Sequence, residues 1–187
     1  MMSRLLLLLS LALWPLASFA RPWQLDPSST VRVDVPWHGT QVPVSFPKIS
    51  GEIDFDDKAP QNAKARITAD ARAATTGVAL VDSLIQSADY LDSKEYPEIV
   101  FNLDRLTQTS KSTAEIVGRV TMRGQTHPVT LDATVFRFGP DAADASRFEA
   151  GFDITGKIDR TQFGSTGGLP DVGSVLIVNI HLLMASK

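Results

Sequence analysis

Residues 147–159, Arg-Phe-Glu-Ala-Gly-Phe-Asp-Ile-Thr-Gly-Lys-Ile-Asp, decide the fold class. Phe148, Ala150, Phe152, Ile154, Gly156 and Ile158 fall on one face; Glu149, Gly151, Asp153, Thr155, Lys157 and Asp159 fall on the other. A period of two with one dry and one wet face marks a half-buried antiparallel strand. Working outward, the same alternation recurs. It places Leu131, Ala133 and Val135 together in 130–138, and Ile116, Val120 and Met122 together in 115–123. Ile99, Phe101 and Leu103 alternate with polar neighbours, as do Val31, Val33 and Val35, and Ile53 and Phe55. The last strand, 174–184, is apolar on both faces at first. It then alternates with Leu176, Val178, Ile180, Leu182 and Met184 in register. Gly, Pro and Asp clusters at 57–61, 122–125, 139–141 and 164–173 leave gaps that suit hairpins. One stretch breaks the pattern: 75–90 carries Val78, Val81 and Ile85, with Leu80 and Leu84, at helical spacing. It predicts a helix capped by Thr75 or Thr76. About eight strands and one helix in one domain predict an all-β, closed antiparallel barrel, because closure removes exposed edges.

The strand predicted over 62–73 bears on what the barrel holds. One face is Ala63, Ala65, Ile67, Ala69, Ala71 and Ala73; the other is Asn62, Lys64, Arg66, Thr68, Asp70 and Arg72. A core strand normally presents Val, Ile or Phe, so a row of methyl groups leaves room. Barrels of ~8 strands are near the size at which the lumen either fills with side chains or holds one small ligand. The same alanines would equally let the helix pack close to the sheet, and the strand alone does not choose.

The first twenty residues say where the chain works. Arg4 precedes an apolar run from Leu5 to Leu13, broken by Ser10, and the segment closes on Ala17-Ser18-Phe19-Ala20. That is the pattern of a secretory signal peptide cleaved after Ala20, and its core is too short to span a ~30 Å bilayer. The expectation is a domain over 21–187, exported to the periplasm. Removing residues 1–20 leaves 17 basic against 21 acidic side chains. This mild acidity excludes a nucleic-acid partner, which needs a basic face. There is no cysteine, so neither disulfides nor thiolate ligands are available and stability rests on packing.

Catalytic patterns are sparse. His38, His127 and His181 are far apart and lack metal-ligand spacing; each reads as a solvated or hydrogen-bonded histidine, with His127 exposed in a turn. No nucleophile elbow, phosphate loop or dinucleotide fingerprint is present. Asp82, Asp89, Asp92 and Glu95 cluster around the helix and its exit, and read as a solvated helix end. The Gly-rich run 164–168 reads as a flexible hairpin loop. The sequence assigns no catalytic residue, no metal and no cofactor.

The ordered motifs resemble those of the YceI-like family of exported, lipocalin-like proteins that bind polyisoprenoid and other long-chain lipids. Trp23-Gln24-Leu25-Asp26, followed by Ser28 or Ser29, resembles the family's opening W-x-L-D-x-x-x-S, and His38-Gly39 its H-x-G. Gly51-Glu52-Ile53 and the acidic run Asp54 to Asp57 match the next strand and turn. Ser87-Ala88-Asp89-Tyr90-Leu91-Asp92, then Tyr96-Pro97 and Phe101, resembles its S-x-D-F-F-D…YP…F. The stretch 118–129 resembles its G-x-L-T-I-x-G-x-T-x-P-V hairpin, and 158–164 its I-x-R-x-x-F-G turn. Two departures stand out. The family's helix usually opens R-D-x-H-L; here Asp82 keeps the acid, while Val81, Leu84 and Ile85 replace the arginine, histidine and leucine. Pro43 stands where the family often has glycine.

The resemblance implies a lipocalin-like barrel whose lumen takes a long-chain apolar lipid: a polyisoprenoid, a quinone or a fatty amide. If the family's helix cation and imidazole meet the ligand's head, Val81 and Leu84 make that region greasier here. The residues expected to line the lumen and bind ligand are Val33, Phe55, Ala65, Ile67, Ala69, Phe101, Val120, Leu131, Phe152, Ile154, Phe163 and Ile180. The expected role is non-enzymatic sequestration or transport, with transient contact to a membrane or a membrane protein. An alternative is an interaction module docking a membrane redox partner such as a cytochrome, since relatives occur beside membrane cytochromes. A third reading, a lipid hydrolase or isomerase, would use Asp89 and Asp92.

Overall fold

A computed structural model describes residues 21–186; the predicted signal peptide lies outside them. Ten strands are present: β1 (Arg21–Leu25), β2 (Thr30–Trp37), β3 (Thr40–Phe46), β4 (Ile49–Phe55), β5 (Lys64–Asp70), β6 (Glu98–Gln108), β7 (Thr113–Met122), β8 (Gln125–Pro140), β9 (Phe148–Asp159) and β10 (Val175–Ser186). Among the described residues a single α-helix, α1 (Ala79–Ile85), lies between β5 and β6. The sheet runs β1-β4-β5-β6-β7-β8-β9-β10 and returns to β1, so eight antiparallel strands close a ring. The closing pairs are Gln24↔Ala185 and Leu25↔Met184. The β2–β3 hairpin extends the sheet from the start of β10, where Val33 pairs with Val178.

The turns follow from the residues that make them. His38-Gly39 and Arg123-Gly124 each take positive φ at both positions, 46° and 78° in the first and 50° and 69° in the second. Two-residue turns of this hand match the strands' right-handed twist. Register shifts at Leu103/Arg105 in β6 and at Val135/Arg137 in β8 mark bulges that bend these long strands around the barrel.

The barrel has two unlike ends. Segments 56–63, 109–112 and 141–147 connect strands at one end. The other end carries 71–97, the Arg123-Gly124 turn and 160–174. This second end is packed shut. Leu91 and Ile85 pack against a cluster of Val44, Phe46, Ala69 and Ala74, and Leu91 and Phe163 join another built on Ile116, Val120, Met122, Val129 and Leu131.

The helix is shorter than its periodicity predicts. It spans seven residues and leaves Val78, Leu80 and Leu84 more than half exposed. Its N-cap is Val78, with no side-chain cap. Thr75 and Thr76 instead donate their hydroxyls to the Asp82 carboxylate, at 2.6 and 2.7 Å, and the Thr76 amide donates to it at 2.6 Å. Asp82 thus ties the approach to α1 back onto the helix, and the Thr75 hydroxyl, then the Thr76 amide and hydroxyl, hold its carboxyl below the usual range. The strand predicted over 62–73 is likewise trimmed. Pro60–Asn62 form a 3-10 turn, and the Asp70 side chain accepts from the Arg72 amide to start another at Ala71–Ala73.

Candidate functional site

Inside the ring lies a cavity of about 460 Å³. Each strand's inward residues build its wall. Ile67, Ala69, Ile99, Phe101, Val120, Met122, Leu131, Ile154 and Val178 are among them. The alanines of β5 decide its volume. Ala63, Ala65 and Ala69 border the cavity, and no residue of α1 does, so the small side chains open the lumen, while Ala69 also belongs to the cluster against which Ile85 of α1 packs. Glycine does related work in the wall. A Cβ at Gly118 would meet the Phe101 ring at 2.5 Å, and one at Gly156 would collide with the Leu131 side chain. Glycine at these places lets the larger neighbours lie flat on the strand.

The lining is divided by polarity. Asp57, Lys64, Gln108, Lys111, Ser112 and Thr113 are the polar residues that border the cavity, and all six stand at the end carrying 56–63 and 109–112. Phe138, 45% exposed, borders it there too. That end is the mouth. Beneath it Trp23, Phe55, Phe148 and Phe152 form a chain of tilted and edge-to-face rings with centroids 5.8–6.4 Å apart, the spacing aromatic pairs prefer. The floor is apolar: Phe46, Leu91, Met122, Val129 and Ile158.

Of the residues expected in the lumen, Val33, Phe55, Ala65, Ile67, Ala69, Phe101, Val120, Leu131, Phe152, Ile154 and Ile180 border this cavity. Phe163 does not. It follows β9 in a 3-10 turn, Arg160–Phe163, is 1% exposed, and packs beneath the floor, with the His127 ring edge-on at 5.0 Å. His127 is therefore half-buried in β8 rather than exposed in a turn. The sequence reading left Leu176, Leu182 and Met184 out of the lumen, although their register in the last strand places them there, and named none of the polar residues at the mouth.

The motif residues of 87–97, 123–124 and 158–164 gather at the closed end. Arg160 is 3% exposed and donates to four main-chain carbonyls, those of Ser165, Gly167, Val172 and Gly173, at 2.8–3.0 Å. Its guanidinium also lies 5.7 Å from the centre of the Tyr90 ring. Burial draws its pKa down, opposed by Tyr90 and Asp159. The glycine-rich loop read as flexible is thus wrapped around a buried cation. Arg123 donates to the carbonyls of Ala88, Tyr90 and Phe163, and its guanidinium lies 4.0 Å from Asp92. The Asp89 carbonyl accepts from the Thr166 and Gly167 amides. The acidic cluster is thereby dispersed: Asp82 ties the helix, Asp92 faces Arg123 and Asp89 anchors the loop by its backbone. Among the described residues no group of three or more His, Asp or Glu is placed to hold a metal. His181, on the outer face, stacks on Phe136 at 4.2 Å and contacts Asp153 at 2.7 Å.

The closed antiparallel barrel thus encloses an apolar lumen with a polar mouth and a pinned floor. The chain belongs to the YceI-like domain family, whose model matches residues 23–184. It is 34% identical over 130 residues to a UPF0312 protein of Pseudomonas putida (strain GB-1), covering 70% of this chain and 64% of that relative's own length. It is 32% identical over 119 residues to Protein YceI of Escherichia coli O17:K52:H18, covering 64% of this chain and 61% of the relative. In fold it is similar to Burkholderia cenocepacia BcnA (TM-score 0.76, 22% identity, 85% of this chain and 98% of that one). It is also similar in fold to a polyisoprenoid binding domain from Saccharophagus degradans implicated in plant cell wall breakdown (TM-score 0.68, 14% identity, 89% and 99%).

Proposed function

We propose that this protein is a non-enzymatic container for one long-chain apolar lipid, held in the barrel lumen and worked in the periplasm. The observation that carries the reading is the 460 Å³ apolar lumen with its polar lining confined to the mouth. Membership of the YceI-like family and the fold shared with a polyisoprenoid binding domain support it. The leader pattern in residues 1–20 supports export.

The volume bounds the ligand. At ~30 Å³ per group, the share a water molecule takes in the liquid, the lumen accepts about fifteen methylene-sized groups. Burying each from water contributes ~0.8 kcal/mol, or ~12 kcal/mol gross, of which association takes back a large share. From a bilayer the tail is already in hydrocarbon, so exchange is close to neutral. Near-neutral exchange suits a protein that both loads and unloads.

The test is native mass spectrometry of the protein purified from its own cells, followed by organic extraction. The expected result is one co-purifying molecule per chain, with an apolar tail near sixteen carbons, on a protein whose N-terminus is Arg21. A chain that is lipid-free as isolated, and remains so after incubation with C10 to C20 alcohols, isoprenoids and quinones, refutes the container.

A further inference from the structure

The wall of the barrel is not continuous. β8 and β9 pair from Leu131↔Gly156 up to Pro140↔Phe148, near the mouth. Below Leu131 both strands run on, β8 back to Gln125 and β9 forward to Asp159, yet among the described residues no ladder pair joins them there. Continued, the register would set Thr130, Val129 and Pro128 against Lys157, Ile158 and Asp159. Each strand keeps only its other neighbour: β8 stays on β7 as far as Met122↔Gln125, and β9 on β10 as far as Val175↔Asp159. Pro128 has no N–H to donate, and proline within sheets is confined to free edges, strand starts and bulges.

A groove of about 540 Å³ lies against the outer wall at this split. Thr130, Asp132, Thr155 and Lys157, all exposed, border it, as does Gln162 of the turn after β9. Of the residues around the two spaces, only Val129 and Ile158 border both the groove and the lumen. Two aliphatic side chains therefore stand between the apolar interior and a second space of similar size. Elsewhere a chain leaving the lumen sideways must break backbone hydrogen bonds between strands about 4.8 Å apart. Here it has only to turn two side chains aside.

We propose that the split is a side outlet of the lumen: a tail too long for the lumen passes between Val129 and Ile158 and lays its far end in the outer groove. The proposal rests on the container reading above and adds a ligand class, linear isoprenoid or alkyl chains of about twenty-five to thirty carbons. At ~30 Å³ per group the lumen takes about fifteen methylene-sized groups, and the groove has room for a comparable number. A tail near sixteen carbons fills the lumen and stops at the floor; a longer one goes on. Outside, Ile177 and the aliphatic stem of Lys157 give the emerging chain apolar contact, while the Lys157 ammonium stays in water.

The experiment is binding of two isoprenols, farnesol (fifteen carbons) and geranylfarnesol (twenty-five carbons), each carrying a diazirine at the end far from the hydroxyl. Affinity is titrated, and after illumination the labelled residues are mapped by mass spectrometry of peptides. Farnesol should label the floor, at Leu91 or Met122, and geranylfarnesol should label Thr130, Lys157 or Gln162. With about a third of its additional surface shielded by the groove, geranylfarnesol should bind about a hundredfold more tightly than farnesol. Thr130→Trp, on the outer wall, fills the groove and leaves the lumen alone. It should abolish that gain and leave farnesol unchanged, which also reports that the variant is folded. Geranylfarnesol that binds no more tightly than farnesol, that labels the floor or Phe138 at the mouth, or that keeps its gain in Thr130→Trp overturns the outlet and leaves the container standing. Failure of both alcohols to bind overturns the container itself.

Discussion

Ala65→Trp tests the lumen most directly. Ala65 is the second residue of β5, near the mouth, paired with Ile53, and it borders the cavity. The site faces empty space rather than a packed core, so a larger ring enters the lumen without displacing a neighbour. A cavity of ~150 Å³ is one that benzene fills, and indole is larger. The substitution therefore removes about a third of the 460 Å³. That excludes roughly five of fifteen methylene-sized groups at ~0.8 kcal/mol each, or ~4 kcal/mol. At ~1.4 kcal/mol per tenfold, hexadecanol affinity should fall by about a thousandfold. A ten-carbon alcohol still fits in the space that remains and should bind as it does to the unmodified protein. The assay is titration of both alcohols, with the thermal midpoint measured alongside. A folded variant that binds hexadecanol within threefold of the parent refutes the placement of ligand in this lumen.

Three further perturbations probe the frame. Phe163→Ala should cost about 3–5 kcal/mol in urea unfolding, because it empties a packed site below the floor rather than the lumen; a change in lipid affinity with no loss of stability would instead make Phe163 a ligand contact. Arg160→Ala should destabilise by at least ~1–3 kcal/mol, since it orphans four carbonyls of the 164–173 loop, and should raise amide exchange across 164–173 before elsewhere. Asp82 and Asp159 are held below the ordinary carboxyl value of 3.8, each by the hydroxyl of a neighbouring threonine, Thr75 and Thr161, first and then by backbone amides. Their stabilisation is complete above that value and is lost as pH falls through the lower folded ones. Asp82→Ala should therefore narrow the gap in urea midpoint between pH 6 and pH 3, and an unchanged gap would place the acid sensitivity elsewhere.

The barrel was legible because its wall is written in period two, and 147–159 shows it most cleanly. Two strands escaped that reading for physical reasons. β3 carries Pro43, which removes a ladder donor and reads as a break; it is tolerated because β3 is the outermost strand of its hairpin. β1 is five residues long, too short to show a period. The helix was over-read because Val78, Val81 and Ile85, with Leu80 and Leu84, have helical spacing, whereas the fold leaves Val78, Leu80 and Leu84 exposed. Val81 and Leu84 do not border the cavity. The lumen residues could be picked from alternation alone, but Phe163 could not be excluded, since a strand pattern does not reveal where the chain leaves the wall. The mouth was invisible because its residues come from the ends of β5, β6 and β7 and the 56–63 loop, which only closure brings together. The motifs were legible as motifs, but their work at the closed end depends on Arg160 and Arg123 finding carbonyls up to 40 residues away.

β10 touches three partners: β9 along its whole length, β2 beside its first half and β1 at its end. It is also the last of the described strands in chain order. Until Ser186 has emerged, three edges wait with unanswered hydrogen bonds, and the inward apolar faces lie open to any other chain. A copy that lacks β10 is therefore hazardous to its neighbours, and a copy that has it is not. Truncation at the C-terminus should be read in that light: a premature stop near Gly173 removes the one stave that locks the other staves into a cask, and sends the product to proteases and inclusion bodies rather than to a weaker version of the same vessel.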